Sequence, residues 1–172
     1  MRTSIFLLTL ALLLNGAIAG FFYAYWSSVM VGLVAAAPDV GMAAMQAINA
    51  TVRNARFAPA FFGPILILPL AGIASWRAGR SAAALWVVLA LLAYGIGAFG
   101  ITVLQNVPLN NKLAPIPPVG SEAVALWNAY VADWGFWNGI RTAFSFVALL
   151  AVGAALLSLA IGRGNPTKAD LT

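Results

Sequence analysis

Trp127, Tyr130, Trp134, Trp137, Asn138 and Arg141 follow one another at offsets of 3, 7, 10, 11 and 14 from the first. Those offsets set all six on one face of a continuous helix, because residues three and four apart lie above one another. Beyond Arg141 the chain is apolar to Ile161, so the stripe carries a guanidinium to the edge of a membrane core. An ionisable group there is costly and by default marks a functional or organising site. A cation and a carboxamide under a row of rings make an aromatic pocket with a polar lip. Arg141, Asn138 and Tyr130 are its candidates for chemistry, and Trp127, Trp134 and Trp137 are its candidate wall.

Two further groups of polar side chains could join that lip. Pro38-Asp39 opens an amphipathic helix with Met42, Met45, Ile48 and Val52 on one face, while Gln46, Asn49 and Arg53 fall at i, i+3 and i+7. Such a helix lies along the membrane interface or caps the bundle, and its amide and guanidinium face either meets water or turns inward as part of a site. Asn106 and Asn110 stand one turn apart around Pro108, which removes a backbone donor. The two Asn side chains either satisfy the carbonyls freed at that break or line the site.

Composition removes whole classes of chemistry. Of 172 residues, 63% are hydrophobic and only 8% charged, against about 25% charged in soluble domains. The mean hydropathy is +0.95. Cysteine and histidine are both absent, which excludes disulfides, thiolate catalysis, a Ser-His triad and histidine-ligated haem, copper or zinc. The four acids, Asp39, Glu122, Asp133 and Asp170, are far apart in sequence. A carboxylate-bridged metal site needs several acids at helical spacing, so no metal is expected. The net charge of +5 sits singly at segment ends with no basic run, and nucleic acid is not an expected partner.

The elements that must position these residues are four membrane spans, at about 4–33, 57–76, 82–104 and 137–161, each reaching the roughly 20 residues needed to cross about 30 Å of hydrocarbon. The whole chain, 1–172, reads as one all-α integral membrane four-helix bundle. Its long loops, 35–56 and 105–136, share one side; the first holds the amphipathic helix, and the final helix extends back through the second from Ser121. Arg2, Arg77, Arg80, Arg163 and Lys168 share the other side with one acid, Asp170. The positive-inside rule puts that side, with both termini, in the cytoplasm. Ala/Gly-rich, Arg-over-Lys usage points to a bacterial inner membrane. A signal peptide ending at Ala17-Ile18-Ala19 competes for the first span, but apolar residues continue through Phe21, Phe22, Tyr23, Tyr25 and Trp26. These rings read mainly as an interfacial belt. Gly16 and Gly20 read as a helix-packing surface, as do Gly95, Gly97 and Gly100. Asn15 is placed to hydrogen-bond across helices.

Four stretches, in order and spanning nearly the whole chain, resemble the anthrone-oxygenase-like family of small four-helix membrane proteins, most of whose members have no assigned function. They are Gly20-Phe21-Phe22 with Val29-Met30-Val31-Gly32-Leu33; Met45-Gln46-Ala47-Ile48-Asn49; Thr102-x-x-x-Asn106-Val107-Pro108-Leu109-Asn110; and Trp127-x-x-Tyr130-x-x-x-Trp134-x-x-x-Asn138-x-x-Arg141. Val31 stands where the family carries proline. The resemblance implies oxidation of a polycyclic anthrone to an anthraquinone by molecular oxygen, with no metal or cofactor. In that reading the rings hold a flat substrate and Arg141 with Asn138 stabilises its enolate oxygen. The proton acceptor is not defined by it: Glu122 and Asp133 are near in sequence, but Asp133 lies one position off the stripe. Two other functions compete. One is a lipophile- or quinone-binding protein or an accessory subunit, as a homo-oligomer or within a larger membrane complex. The other is purely structural, with Arg141 capping carbonyls at the Asn106 to Asn110 break.

Overall fold

The computed structural model describes residues 1–161, and helices are the only regular secondary structure among them. Arg163, Lys168 and Asp170, which enter the charge comparison, lie outside the described residues. Five helices succeed one another: α1 (Arg2–Ala35), α2 (Pro38–Thr51), α3 (Ala58–Arg77), α4 (Ser81–Leu113) and α5 (Ser121–Ile161). All but α2 are long and apolar enough to cross a membrane. The protein is a four-span α-helical membrane bundle.

The spans form a closed ring in the order α1, α3, α4, α5, each packed against its two neighbours. Its core is built largely from small residues, among them Ala11, Ala71, Ala90, Ala148 and Ala155, with Leu8, Leu68, Val87 and Val152 between them. Small side chains let helix backbones approach closely where lipid leaves no hydrophobic drive between helices. Gly97 is the tightest such point, since a Cβ there would overlap the Phe144 side chain of α5. Leu85, Ile96, Leu150 and Leu157 face outward instead, as lipid-facing residues do. At the far end of α3, Gly79 takes a left-handed turn (φ +70°). That turn lets the Arg80 amide bond back to the Ser75 carbonyl and closes the helix.

Several expectations change here. Residues 105–136 are not a loop: α4 continues to Leu113 and α5 begins at Ser121, leaving a connector of 114–120. Pro108 does not break α4. It sits in the first turn of the α-helical segment Val107–Leu113, directly after a π-helical turn at Thr102–Asn106 whose last bond runs from the Val107 amide to the Thr102 carbonyl. A first-turn proline gives up a donor that has little helical use. Among the described residues Gly20 meets nothing within 4 Å of a would-be Cβ and Gly16 meets only the Leu149 side chain, at 3.8 Å, so α1 packs chiefly through Ala11, Ile18 and Phe22. Asn15 donates to the Ala11 carbonyl of its own helix at 2.8 Å and makes no bond across the bundle among the described residues. A short polar side chain in a helix finds the carbonyl one turn back before any more distant acceptor.

Helix lengths fix the depth at which the bundle's polar residues sit. At 1.5 Å per residue α5 is about 60 Å long, twice the hydrocarbon thickness. Phe22 in α1, Thr102 in α4 and Arg141 in α5 each lie about 30 Å along their helices from the end of the bundle that carries the Arg77–Arg80 turn. Those three residues therefore share one level, at the opposite boundary of the hydrocarbon.

Candidate functional site

At that level the bundle opens into a cavity of about 680 Å³ to which every helix contributes. Ligand pockets generally measure 300–1,000 Å³. Its apolar wall comes from the ends of α1 and α3: Phe21, Phe22 and Tyr25 on one side, Phe57, Phe61 and Phe62 on the other. Phe57 and Phe61 stack at 5.3 Å, and Phe21 bridges the two groups at 5.0 Å from both Tyr25 and Phe57. The polar wall is Thr102, Asn106 and Asn110 of α4 with Trp134 and Arg141 of α5. Gln46 and Asn49 of α2 form the roof, and the exposed Arg53, Asn54 and Asn111 mark the rim.

Arg141 is only 5% exposed. Its Nε donates to Asn138 Oδ1 at 3.0 Å, and its Nη1 donates to Thr102 Oγ1 at 3.3 Å. The guanidinium lies over the Phe22 ring at 4.2 Å and the Trp134 ring at 4.8 Å, a cation held between two aromatic faces. Nη2 donates to no atom of the described residues, and no carboxylate among them pairs with the guanidinium. Asp39, Glu122 and Asp133 are all exposed. A buried charge without a counter-charge is expensive, and arginine cannot shed its proton to escape that cost. The arrangement is therefore a fixed cation in the cavity wall whose charge no described side chain neutralises. It does not cap carbonyls at the Asn106 to Asn110 segment, because α4 has no break there for it to cap.

The sequence stripe divides over this geometry. Trp134 and Arg141 line the cavity. Asn138, 1% exposed, stands behind Arg141 and donates from Nδ2 to the Phe22 carbonyl at 3.2 Å, so it aims the guanidinium from outside the lining. Trp127 and Tyr130 stack at 5.7 Å in a buried cluster with Met42, Met45 and Leu113 that lies behind the cavity wall, Tyr130 stacking in turn on the lining residue Trp134 at 6.3 Å. Trp137 is not a wall residue: it is half-buried, edge-on to Phe136 at 5.1 Å, and outside the cavity. At 100° per residue its offset of 10 rotates it about 80° from Trp127, to the margin of the stripe.

α2 caps the bundle with its apolar face on Trp127 and Tyr130, and its amides turn inward. Gln46 Nε2 donates to the Leu113 and Ile116 carbonyls at 2.9 and 2.8 Å, pinning α2 to the end of α4. Asn49 Nδ2 reaches the Tyr130 hydroxyl at 3.4 Å, and that hydroxyl donates to Asn110 Oδ1 at 2.8 Å. Asn106, 1% exposed, donates from Nδ2 to the Trp134 carbonyl at 3.2 Å. Its Oδ1 and the Trp134 Nε1 are buried with no partner among the described residues.

Sequence reasoning missed most of the apolar wall. Phe21, Phe22 and Tyr25 face the cavity, whereas Tyr23 and Trp26 of the same cluster are exposed as a belt would be. Phe57 and Phe61 are spaced i, i+4, the one available sign that they act together. Thr102 opens the Thr102-x-x-x-Asn106 motif, whose spacing assigns it no role. Tyr25 lies in a π-helical turn (Tyr25–Val29), and Thr102 and Asn106 bound a second (Thr102–Asn106). Such turns re-aim side chains and recur at functional sites, and hydropathy does not announce them.

Among the described residues no three His, Cys, Asp or Glu side chains come together to hold a metal. A family model described as anthrone oxygenase matches residues 53–151. No curated protein and no solved structure matches the chain. The matched segment is more than half of the sequence and carries α3, α4, Trp134 and Arg141, and the chain belongs to the anthrone oxygenase family.

Proposed function

We propose that the cavity takes a flat, lipophilic aromatic molecule from the bilayer boundary and that Arg141 holds one of its oxygens as an anion. The observation that carries this reading is the guanidinium itself, buried between Phe22 and Trp134 in a cavity wall with no carboxylate to neutralise it. Trp134, Asn106, Asn110, Gln46, Asn49 and Arg53 act as binding groups, and Asn138 positions Arg141. Tyr130 braces the roof through Asn49 and Asn110. Trp127 supports it by packing.

For an anthrone the overall reaction is one substrate and one dioxygen giving one anthraquinone and one water. The substrate binds as its phenolic tautomer, whose O–H proton leaves to water past the exposed rim of Arg53, Asn54 and Asn111. Arg141 stabilises the enolate so formed, in a setting where fixed donors act most strongly. The ring carbon then gives its electron pair to dioxygen and forms a C–O bond, and the peroxide anion takes a proton from water at the rim to become a hydroperoxide. Loss of that carbon's remaining proton and of hydroxide from the hydroperoxide breaks the O–O bond and leaves the quinone carbonyl. The charge distribution supports placing both termini in the cytoplasm of a bacterial cell and this cavity on the outer side of the inner membrane.

Oxygen uptake by the purified protein in detergent, with 1,8-dihydroxyanthrone and related hydroquinones, tests the reaction. Uptake matched by quinone formation and abolished in Arg141→Gln is expected; no uptake above buffer across that panel sinks the enzyme. A second reading, a binding protein without chemistry, draws on one observation: no Asp, Glu, His or Cys among the described residues lines the cavity to take a proton. Mass spectrometry of lipophiles that co-purify from the membrane tests it, and a protein that carries none counts against it.

A further inference from the structure

The cavity opens sideways as well as at its polar rim. At the level of Phe99 the seam between α3 and α4 is shut. The Tyr94 hydroxyl donates to the Phe61 carbonyl at 2.7 Å, and the Phe99 ring lies against those of Phe61 and Phe62, at 5.1 and 6.1 Å. Above Phe99 the two helices part: no Cα of α3 comes within 8 Å of any between Thr102 and Leu113. Lining residues of the cavity stand on both sides of this gap, Phe62 on α3 and Val107 on α4, and Phe62 is 50% exposed. Counted from Arg77 at 1.5 Å per residue, Phe62 lies about 22 Å from the Arg77–Arg80 end, within the roughly 30 Å of hydrocarbon. The exposed part of its ring therefore meets acyl chains rather than water.

The gap also lies in the right direction. In the ring order α1, α3, α4, α5 the α3–α4 seam faces the α1–α5 pair across the bundle. That pair holds the guanidinium, between Phe22 of α1 and Trp134 of α5. A flat ligand with an oxygen at Arg141 thus turns its far edge towards the gap. We propose that the gap seats an aliphatic chain of that same ligand, so that the class of molecule taken is a phenol or quinol bearing an alkyl or prenyl tail. Its ring reaches Arg141 while its tail leaves between Phe62 and Val107 and stays in the bilayer. The inference rests on the proposed role of the cavity as an aromatic-binding site. Because Phe62 and Val107 belong to the cavity lining itself, gap and cavity are continuous, and one molecule can occupy both. Every methylene moved into water is unfavourable, so a tailed ligand does not leave the membrane to bind. It needs a mouth at acyl-chain depth, and the rim at Arg53, Asn54 and Asn111 is not one.

The test compares 1,8-dihydroxyanthraquinone with its 3-hexadecyloxy derivative, made with a photoreactive diazirine on the chain close to the ring. The full chain is reconstituted in lipid nanodiscs, illuminated with the derivative, and the labelled residues are mapped by peptide mass spectrometry. Label is expected on Phe62, Phe99 or Val107, and the chainless compound at ten times its Kd is expected to cut it about tenfold. Label on the rim residues Arg53, Asn54 and Asn111 instead, or label that the chainless compound does not displace, overturns the seam. Val107→Trp fills the gap. It is expected to weaken the tailed compound by roughly 5- to 150-fold, the effect of inserting a large side chain into an occupied space, and to leave the chainless one within about twofold. Equal weakening of both compounds overturns the proposal; should Val107→Trp fail to fold, the labelling pattern decides alone. A wild type that binds only the chainless compound keeps the aromatic site and loses the tail seat. If neither compound binds, the aromatic-site reading and the tail seat fall together.

Discussion

Replacing Arg141 by methionine separates an arginine that waits for a ligand from one that holds helices together. Methionine keeps the length and apolar contact with Phe22 and Trp134 but removes the charge and every donor. Two hydrogen bonds are lost, to Asn138 Oδ1 and Thr102 Oγ1. With a charged donor each is worth about 1.5–3 kcal/mol, giving a loss of about 3–6 kcal/mol. Against this, the substitution relieves the desolvation of a cation with no counter-charge, a penalty of several kcal/mol. The opposed effects leave a net change within about 2 kcal/mol of zero. At roughly 2–4 °C per kcal/mol for a chain of this size, Tm in detergent should move by no more than about 8 °C. Ligand affinity should behave quite differently. Deleting one partner of a buried charged contact costs about 2–5 kcal/mol, which is a loss of roughly 30- to 4,000-fold for 1,8-dihydroxyanthraquinone. Differential scanning fluorimetry and equilibrium dialysis on one preparation measure both quantities. A Tm lowered by more than about 15 °C would make Arg141 an organiser of the bundle. Unchanged affinity in a folded Arg141→Met would refute its role as anchor.

The helix contacts make a paired prediction. Gly97→Ala places a methyl into Phe144 close to its own backbone, where it cannot swing away; overpacking of about 1–3 kcal/mol should lower Tm by roughly 2–12 °C, while Gly20→Ala, with no neighbour within 4 Å, should leave Tm level or slightly higher. A larger loss from Gly20→Ala than from Gly97→Ala, measured by thermal unfolding in the same detergent, would contradict this packing. Gln46→Leu frees the Leu113 and Ile116 carbonyls at the largely exposed connector between α4 and α5, so global stability should change by less than about 1 kcal/mol, while amide exchange across Pro38–Thr51 speeds up by about tenfold. Exchange in α2 no faster than in the wild type would mean that the Met42 and Met45 face, rather than the amide latch, holds the cap.

The sequence exposed the spans because burial in lipid requires long uninterrupted apolar runs, and such runs have few other causes. It exposed Arg141 for the same reason, since a charge at the edge of such a run has nowhere inconspicuous to stand. The cavity's second half was hidden by a coincidence of chemistry. Phe21, Phe22 and Tyr25 stand beside Tyr23 and Trp26, and at a membrane boundary an amphipathic ring facing lipid headgroups has the same composition as one facing a pocket. Only the rotation of α1 tells them apart, and that rotation includes a π-helical turn at Tyr25–Val29. The turn at Thr102–Asn106 similarly carries α4 past Pro108, where the residue types alone read as a break. Both turns border the cavity, through Tyr25 on one side and Thr102 and Asn106 on the other. A wide turn spreads side chains that an ideal helix would stack, and room for a guest molecule between tightly packed helices has to come from such departures. A wide turn alone does not open the bundle: a third, Ala93–Gly100, lies in the closed alanine-rich core, where Ala93, Tyr94 and Ala98 are buried and Gly97 abuts Phe144.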